Sequence, residues 1–336
     1  MTRCAVLGAG IVGLWTAYIL TEHGFEVEIV SAAAPDQTTS AAAVCVLTPF
    51  FPESPEDPTF ARGVRWAKET LAKFTDVNTM ANALELMPCY EFGYQGYLEA
   101  SFPVSKLDHL DFSNFDIVKL SDVVADCDFA VSFTCTMANT RVFLAWIHQH
   151  LRERSVKFTR RKLTSPHDLD DIKAEVIFNC LGFNQVFPDP DAYPVHGQSM
   201  FVPADNTGLD TFGLGAGHHA VFTHTRGFYL GSFFMPGATQ TPSRELYESS
   251  VEFVKGPYRE LCASVGKNVP SIDLSRIDRV NAGVRPFRRA GPRVEVSLEY
   301  NTPVVHNNGH GAHGWTVGYG SSLAAVRLFT ENIWSQ

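Results

Sequence analysis

The chain has 336 residues, of which 45% are hydrophobic and 19% charged, and its net charge is −9. Such a composition is typical of a globular enzyme with one large or two ordinary domains. The negative charge argues against nucleic acid as the main partner, because phosphate binding needs an excess of basic residues. No apolar run reaches the roughly 18 residues of a membrane span, and the N-terminus has no signal-peptide cleavage pattern. Seven widely spaced cysteines without a C-x-x-C pair argue against a disulfide framework. We therefore expect a cytoplasmic protein without a membrane partner.

The clearest pattern lies at the N-terminus, in "RCAVLGAGIVGLWTAYILTEHGFEVEIVS". A short apolar strand is followed by Gly8, Gly10 and Gly13 in G-x-G-x-x-G spacing, then by a helix and a second strand. In a dinucleotide-binding unit of this kind the first glycine permits a tight turn, the second lets the backbone approach a pyrophosphate, and the third lets the helix pack on the strand. The helix N-terminus supplies N–H groups and partial positive charge. The alternative is a glycine turn that merely joins strand to helix.

The end of the second strand departs from this pattern. It ends in Ser31, where a carboxylate that binds a ribose hydroxyl is usual. Ser31 could donate one hydrogen bond, and Asp36 is the nearest carboxylate. Thr39 and Ser40 then precede a run of alanines, which suits close approach of the backbone to a ligand. The alternative for this run is the start of a packed helix.

Further along the chain, α/β segments alternate with a β-rich stretch. "DPTFARGVRWAKETLAKF" is an amphipathic helix, and patches such as "FAVSFTCT" are typical of strands. "NTRVFLAWIHQHL" predicts another helix, and "EVIFNCLGF" a buried strand that ends at Gly182. A second α/β segment thus follows the first after roughly 130 residues, with a β-rich insertion between them.

A second glycine-rich stretch, "VVHNNGHGAHGWTVGYG", lies near the C-terminus. The pattern predicts a strand, a glycine loop and a helix whose N-terminus points at a ligand. A metal site built from His306, His310 and His313 would need a further converging ligand, and no Asp or Glu lies between Glu299 and Glu331. We expect structural or cofactor-lining histidines and no metal.

A third motif, "VNAGVRPFRRAGPR", precedes this loop. Arg285 lies between Val284 and the rigid Pro286, an arrangement that suits bidentate capture of a carboxylate. For Arg289 and Arg293 we expect a solvated basic surface.

In this order, "GAGIVGL", the helix–strand segment that ends in "VIFNCLG", "GVRPFR" and the C-terminal glycine stretch resemble the D-amino-acid oxidase family of FAD-dependent oxidoreductases. The resemblance implies an α/β fold, with a Rossmann-type FAD-binding domain and a second, β-rich substrate domain. The implied FAD-binding domain is discontinuous and comprises residues 1–75, 130–190 and 285–336; residues 76–129 and 191–284 form the substrate domain. The residues implied to contact FAD are Gly8, Gly10, Ile11, Val12, Gly13, Ser31, Thr39, Ser40, Leu163, Gly182, Gly309, His310, Gly311, Ala312, His313, Gly314, Trp315 and Thr316.

The resemblance also implies an activity. Arg285 would bind the carboxylate of a D-amino acid or related amine, and the Cα hydrogen would pass as hydride to flavin N5. The products would be an imine, then an oxo acid and ammonia, and hydrogen peroxide from molecular oxygen. No side-chain base is needed if the amine arrives neutral, since the cofactor performs the difficult chemistry. A homodimer is the expected assembly.

Two departures from the family pattern bear on the substrate. The loop has Asn308, Ala312 and His313 where the family has a tyrosine, a glycine and a tyrosine, and a methyl group at position 312 would crowd the site. The lid-like stretch before Tyr229 has no tyrosine. It offers four cationic or titratable groups instead, of which the first and last are our candidate catalytic residues: His218, His219, His224 and Arg226. One interpretation is an acidic substrate, and the other is a set of surface loop residues.

Three alternatives to a D-amino-acid oxidase follow. The first is an FAD-dependent oxidase or dehydrogenase of a specialised secondary amine in a biosynthetic pathway. The second is a nicotinamide dehydrogenase that uses the same N-terminal motif, although the C-terminal glycine loop argues against it. The third is a flavin-binding protein without catalytic activity.

Overall fold

The computed structural model comprises two β-sheets and the helices that pack on them. It describes residues 2–47, 57–93, 116–119, 127, 129–184, 186–204, 210–217, 219–224, 227–231, 235–237, 239–268 and 271–334. The strands are β1 (Arg3–Leu7), β2 (Glu26–Ser31), β3 (Val46–Leu47), β4 (Leu84–Gly93), β5 (Asp116–Lys119), β6 (Phe129–Ala138), β7 (Lys157–Arg160), β8 (Val176–Asn179), β9 (Ala192–Pro203), β10 (Phe212–Ala216), β11 (His219–His224), β12 (Gly227–Gly231), β13 (Met235–Pro236), β14 (Arg279–Arg288), β15 (Arg293–Ser297) and β16 (Val304–Asn308). The α-helices are α1 (Ile11–Glu22), α2 (Thr39–Ala42), α3 (Pro58–Ala81), α4 (Thr140–Glu153), α5 (Arg244–Lys255), α6 (Pro257–Ser264) and α7 (Gly314–Phe329). No helix of these residues is long and apolar enough to cross a membrane.

The smaller sheet has six strands in the order β15-β16-β8-β1-β2-β7. All neighbours are parallel except the edge pair β15–β16. All four residues of β8 are buried, as expected for a parallel strand covered on both faces. The carboxyl ends of β1, β2, β8 and β16 therefore meet at one edge of the sheet, where ligands bind in open α/β sheets.

Helices from the two ends of the chain pack against each other beside this sheet. Helices α1 and α7 make one of the larger helix contacts in the described chain. A Cβ atom at Gly318 of α7 would lie 3.5 Å from Trp15 Cδ1 and 3.6 Å from Val12 Cγ2, both on α1. Close approach of the two helices brings their N-terminal ends to the same edge of the sheet.

A buried polar network ties this helix pair to strand β16. Asn307 is fully buried, and its Nδ2 donates to Ser322 Oγ (3.1 Å) and Thr16 Oγ1 (3.3 Å). Thr16 Oγ1 in turn donates to Ser322 Oγ at 2.9 Å. Buried hydrogen-bonded groups of this kind are costly to leave unpaired, so the network fixes how strand and helices fit together.

The larger sheet has ten strands, eight in the order β13-β9-β12-β11-β10-β4-β6-β3, with β14 paired to β9 and β5 to β6. One of its faces is apolar and carries Met200, Leu214, Val221 and Leu230, which pack against α5 and α6 in one core cluster. Because side chains alternate along each strand, the neighbouring residues point to the opposite face. That second face contacts α2, where Ser199 Oγ donates to Ala42 O at 2.9 Å.

Sheet membership places two expected domain boundaries inside strands. The boundaries near residues 130 and 285 fall within β6 and β14, and both strands belong to the ten-stranded sheet. The expected division into a cofactor domain and a substrate domain stays a prediction at these points.

Substitution by alanine at two glycines of α7 should have opposite effects on the stability of the protein. A Cβ atom at Gly320 would overlap the backbone of Trp66 on α3, so Gly320→Ala should destabilise the protein by about 1–3 kcal/mol through overpacking. At Gly318 the nearest atoms are in ordinary contact range, and Gly318→Ala should be neutral or stabilise by up to about 1 kcal/mol, because alanine favours helix. Apparent melting temperatures of the two variants check this pair; equal shifts would contradict the described packing of α7 on α3.

Candidate cofactor and substrate site

The turn between β1 and α1 is held by two glycines that contact backbone. Gly8 has φ +103°, and a Cβ atom there would lie 2.5 Å from Cys180 O. A Cβ atom at Gly13 would overlap Gly8 O. Both positions therefore exclude any side chain for reasons within the protein itself.

Gly10 differs from these two glycines. It precedes α1 and makes no side-chain cap, and a Cβ atom there would meet only Ser40 Oγ, at 3.1 Å, within 4 Å. Ser40 Oγ accepts a hydrogen bond from Ile11 N at 3.0 Å. Apart from this hydroxyl, no atom of the described residues lies within 4 Å of such a Cβ atom, so the space beside Gly10 is open to a ligand at a helix N-terminus, where phosphate binds well.

Ser31, at the end of β2, has both its hydrogen-bonding functions occupied within the turn. Its Oγ accepts from Ala9 N (3.3 Å) and donates to Ala33 O (2.9 Å). Its expected contact with the cofactor stays a prediction, and in this geometry the hydroxyl stabilises the turn.

The C-terminal glycine loop lies on strand β14. A Cβ atom at Gly311 would lie 2.7 Å from the ring of Phe287, and one at Gly309 would lie 3.0 Å from Arg288 Cδ. Gly311 N donates to Pro286 O at 2.8 Å. These glycines let the loop lie flat on β14, whereas Ala312 is exposed.

The N-terminus of α7 lies beside the N-terminus of α1. A Cβ atom at Gly314 would be 3.9 Å from both Ile11 Cγ2 and Val12 Cγ2. Trp315 Nε1 donates to Ser40 O at 3.0 Å, which ties α7 to α2. Two helix N-termini from opposite ends of the chain thus point to one place, and Thr316 is buried in the first turn of α7.

His306 and His310 are buried, and burial favours their neutral forms. His310 Nε2 is 2.9 Å from Ser321 Oγ, and burial lowers its pKa to about 3. His306 Nδ1 is 3.0 Å from Asn179 Nδ2, and burial lowers the pKa of His306 to about 4. Asn179 Oδ1 accepts from Leu181 N, which orients the amide so that it donates to His306. These two rings support the sheet and α7.

Arg285 lies on β14 beside strand β9. Its Nη1 donates to His196 O at 3.2 Å, and a Cβ atom at Gly197 would overlap its guanidinium group. Burial lowers the pKa of Arg285 to about 10, so the group is still a cation at neutral pH. A half-buried, oriented guanidinium is well suited to bind a carboxylate in two hydrogen bonds.

Three other expected contact residues occupy different places. A Cβ atom at Gly283 would be 3.0 Å from Thr39 Cγ2, so Thr39 lies where α2 meets β14. Gly182 has φ +71° and faces Pro286, at 3.7 Å from a built Cβ atom. Leu163 packs with the apolar residues beneath β1 and β8. Their contacts with a cofactor stay predictions.

The structure describes only some of the cationic residues of the lid-like stretch. His218 and Arg226 lie outside the described residues, and their catalytic roles stay predictions. His219 Nε2 is 2.9 Å from Ser249 Oγ, and its ring stacks on Phe253 with centroids 4.7 Å apart. His219 therefore packs on α5, on the opposite face of the sheet from Arg285.

Sequence reasoning missed a carboxyl group on the Arg285 face. Glu91 lies on β4 beside Gly215 of β10, where a Cβ atom would overlap its carboxyl oxygens. Burial raises the pKa of Glu91 to about 8. The available signal was one acidic residue in the strand "MPCYEFG". It went unused because a single charge in a half-buried strand is usually solvated.

The residues at this edge fit an extended dinucleotide cofactor. The observation that carries this fit is the space beside Gly10, open to a ligand, at the N-terminus of α1. The loop 309–313 and the N-terminus of α7 border the same edge. N–H groups and helix dipoles there favour a pyrophosphate.

Comparison with known proteins agrees with this geometry. The family described as "FAD dependent oxidoreductase" (DAO) matches residues 3–328. A D-amino-acid oxidase of Rubrobacter xylanophilus is 27% identical over 342 residues, covering 98% of this chain and 96% of that protein. Glycine oxidase from Geobacillus kaustophilus shares the fold with a TM-score of 0.78 at 13% identity, over 98% of this chain and 95% of that one. Iminodiacetate oxidase from Chelativorans sp. BNC1 does so with a TM-score of 0.74 at 14% identity, again over 98% and 95%.

These similarities confirm the expected resemblance, the fold class and the cofactor. The family match extends over almost the whole length, from β1 to the end of α7. The chain therefore belongs to the DAO family of FAD-dependent oxidoreductases.

Proposed function

We propose that this enzyme oxidises a D-amino acid, or a related amine that carries a carboxylate, to an imine that water hydrolyses to an oxo acid and ammonia. Molecular oxygen is the proposed electron acceptor and hydrogen peroxide the second product. The observation that carries the proposal is the placement of Arg285, a half-buried cation next to Pro286, whose carbonyl oxygen accepts a hydrogen bond from Gly311 of the glycine loop. The name of the Rubrobacter relative supports the D-amino acid as substrate.

Arg285 fixes one end of the substrate. A hydrogen bond to His196 O and packing over Gly197 orient the guanidinium group before the substrate binds. Such preorganisation removes much of the entropy cost of orienting two reactants. The carboxylate of the substrate would pair with this guanidinium group, which would orient the Cα–H bond toward the cofactor edge.

Bound FAD supplies the hydride acceptor that the side chains of the protein lack. The chain provides its binding and orientation through the N-termini of α1 and α7 and through the loop 309–313. The amine must be neutral when its Cα hydrogen leaves, because the nitrogen lone pair forms the new C=N bond. A side-chain base is therefore not required.

A secondary amine is the second candidate substrate. Ala312 and His313 replace residues typical of the family loop, and Ala312 is exposed at the edge that borders the proposed site. A carboxylate held by Arg285 is compatible with a primary or a secondary amine. The name of the iminodiacetate oxidase neighbour describes such a compound, so this class belongs in any substrate screen.

The function is tested by anaerobic reduction of the bound flavin. We expect the purified holoenzyme to be yellow, and a D-amino acid to bleach the absorbance of the flavin, with peroxide released when air is admitted. Iminodiacetate, glycine and L-amino acids serve as the comparison panel. Bleaching by secondary amines alone would favour the second candidate, and no bleaching by any amine would refute the proposal.

Substitution of Arg285 should separate substrate binding from cofactor binding. Arg285→Ala should raise KM or Kd for the substrate by about 30- to 150-fold, since a charge-assisted hydrogen-bonded pair is worth roughly 2–3 kcal/mol. Arg285→Lys should recover only part of this, because an ammonium group binds a carboxylate less specifically. Titration with FAD is the control: an equal loss of FAD affinity would show that Arg285 is structural.

Gly10→Ala should fold and yet bind FAD poorly. The methyl group would meet only Ser40 Oγ within the protein, but it would occupy the space proposed for the pyrophosphate. We expect a loss of FAD affinity of about tenfold or more, as for a steric contact worth over 1.4 kcal/mol. Circular dichroism of the apoprotein and FAD titration check this. Unchanged FAD affinity would show that Gly10 does not border the cofactor. Gly8→Ala is the comparison: its methyl group would overlap backbone atoms, so this variant should fail to fold.

A further inference from the structure

A row of small residues crosses the face of the ten-stranded sheet that carries Arg285. Strand register places Gly215, Ala220, Gly231 and Ser199 directly opposite one another on β10, β11, β12 and β9. We call these four residues the floor. Paired residues share a face, and Ser199 contacts Ala42 of α2, so the floor faces the cofactor side of the sheet.

The floor is bounded on one side by aromatic rings. The next row of the register on the same face contains Phe222, Tyr229 and Phe201. Phe201 and Tyr229 are in contact, with ring centroids 4.8 Å apart. The floor residues are smaller than these rings, and we infer that the aliphatic part of a ligand packs on the floor beside this aromatic wall.

Two ionisable side chains, those of Glu91 and Arg285, lie at opposite ends of the floor. Glu91, in register with Gly215, places its carboxyl group where a Cβ atom of Gly215 would be. Arg285 is on the same face as Gly283, which pairs with Gly197, and its guanidinium group covers Gly197. In both cases glycine on the neighbouring strand is what allows the side chain to lie flat toward the floor.

Among the described residues, no cation lies beside Glu91. No hydrogen bond or ion pair joins its carboxyl group to another residue in the part of the chain that the structure describes. Burial alone raises its pKa, to about 8. A carboxyl group in such surroundings becomes ionised when an external cation binds next to it, because an opposite charge stabilises the carboxylate.

The distance between the two groups fits a long side chain. Gly197 and Gly215 are three strands apart and offset by two residues, which gives about 16 Å on a flat sheet at roughly 4.8 Å per strand and 3.4 Å per residue. Curvature shortens this distance. In arginine or lysine the carboxylate and the terminal cation are about 7–8 Å apart at roughly 1.5 Å per bond, with shortening at each bond angle. Two ion pairs of about 4 Å each complete the span.

We propose that Glu91 determines substrate specificity by binding the positively charged end of an amino acid whose carboxylate is held by Arg285, so that the substrates are long cationic amino acids such as D-arginine and D-lysine. This inference rests on the proposed function of the same site. It assigns the opposite charge to the substrate from the acidic side chain that the lid histidines and Arg226 had suggested. The aliphatic part of the side chain lies along the floor and the aromatic wall.

The test compares substrates that differ only in charge. D-arginine and D-citrulline have nearly the same shape, and D-lysine and D-norleucine differ by the terminal amine. We expect the wild-type holoenzyme to prefer the cationic member of each pair by about tenfold or more in kcat/KM, as expected for a charge-assisted hydrogen bond. The difference should lie mainly in KM, because the contact is the same in the bound substrate and the transition state.

Glu91→Gln should remove this preference. We expect kcat/KM for D-arginine to fall by about 10- to 100-fold, with a change of less than about threefold for D-citrulline. Glu91→Asp keeps the charge and should retain part of the preference. Glu85→Gln, on the same strand and outside the floor, is the matched control and should behave like wild type. The flavin spectrum and the melting temperature report whether each variant is folded.

Several outcomes would overturn the inference. Wild-type preference for D-citrulline, D-aspartate or D-glutamate over D-arginine would do so, as would an equal loss of activity on all substrates in Glu91→Gln. If Glu91→Gln does not fold, the wild-type comparison of the matched pairs decides. If no amine reduces the flavin, the proposed function fails. Binding of D-arginine and D-citrulline to the holoenzyme, measured by the perturbed flavin absorbance, then tests the role of Glu91 separately.

Discussion

The packing of helix α7 on helix α1 is the constraint on which the rest of the site depends. It brings the two ends of the chain together, because Gly314 and Gly318 of α7 lie against Val12 and Trp15 of α1. The buried amide of Asn307 then joins both helices to β16. As a result, the N-terminal ends of two helices point at the same edge of a parallel sheet. Their N–H groups and dipoles add there, and a large anionic cofactor can be bound by main chain alone.

The substrate end of the site is built in a different way. Arg285 and Glu91 are held by side-chain geometry on the larger sheet, each beside a glycine of the neighbouring strand. Removing an arginine from water is costly, and its pKa is lowered to about 10 as a consequence. The contact with His196 O compensates part of this cost and orients the group. A carboxylate ligand would also offset the desolvation of this guanidinium group, so Arg285 would favour substrates that carry a carboxylate.

The cofactor end and the substrate end of the proposed site are built differently, and this difference explains why family membership identifies the cofactor but not the substrate. The proposed main-chain contacts to FAD depend on helix ends and strand order, and solved structures at 13% and 14% identity share this fold. In the proposed site, substrate contacts would depend on which side chains stand on the Arg285 face of the second sheet. Floor residues such as Ala220 and Gly231 carry no large side chain on this face, and a Cβ atom at Gly231 would overlap Gln198 O, whereas Glu91 gives the floor a polar end. Relatives with different residues in these rows can share the chemistry and act on other amines.

The sequence by itself determined the first βαβ unit and the strand–loop–helix at the C-terminus, because G-x-G-x-x-G spacing and helical periodicity are local properties. It also led to the prediction that Arg285 binds a carboxylate, which was made from its immediate neighbours. The tertiary structure decided the rest: that Gly309 and Gly311 are required by Phe287 and Arg288, that His219 packs on α5, and that Glu91 lies on the same face as Arg285. These relations depend on strand register in a sheet that joins distant parts of the chain. A shift of one residue in any pairing would send a side chain to the opposite face, and nothing in the local sequence sets that pairing.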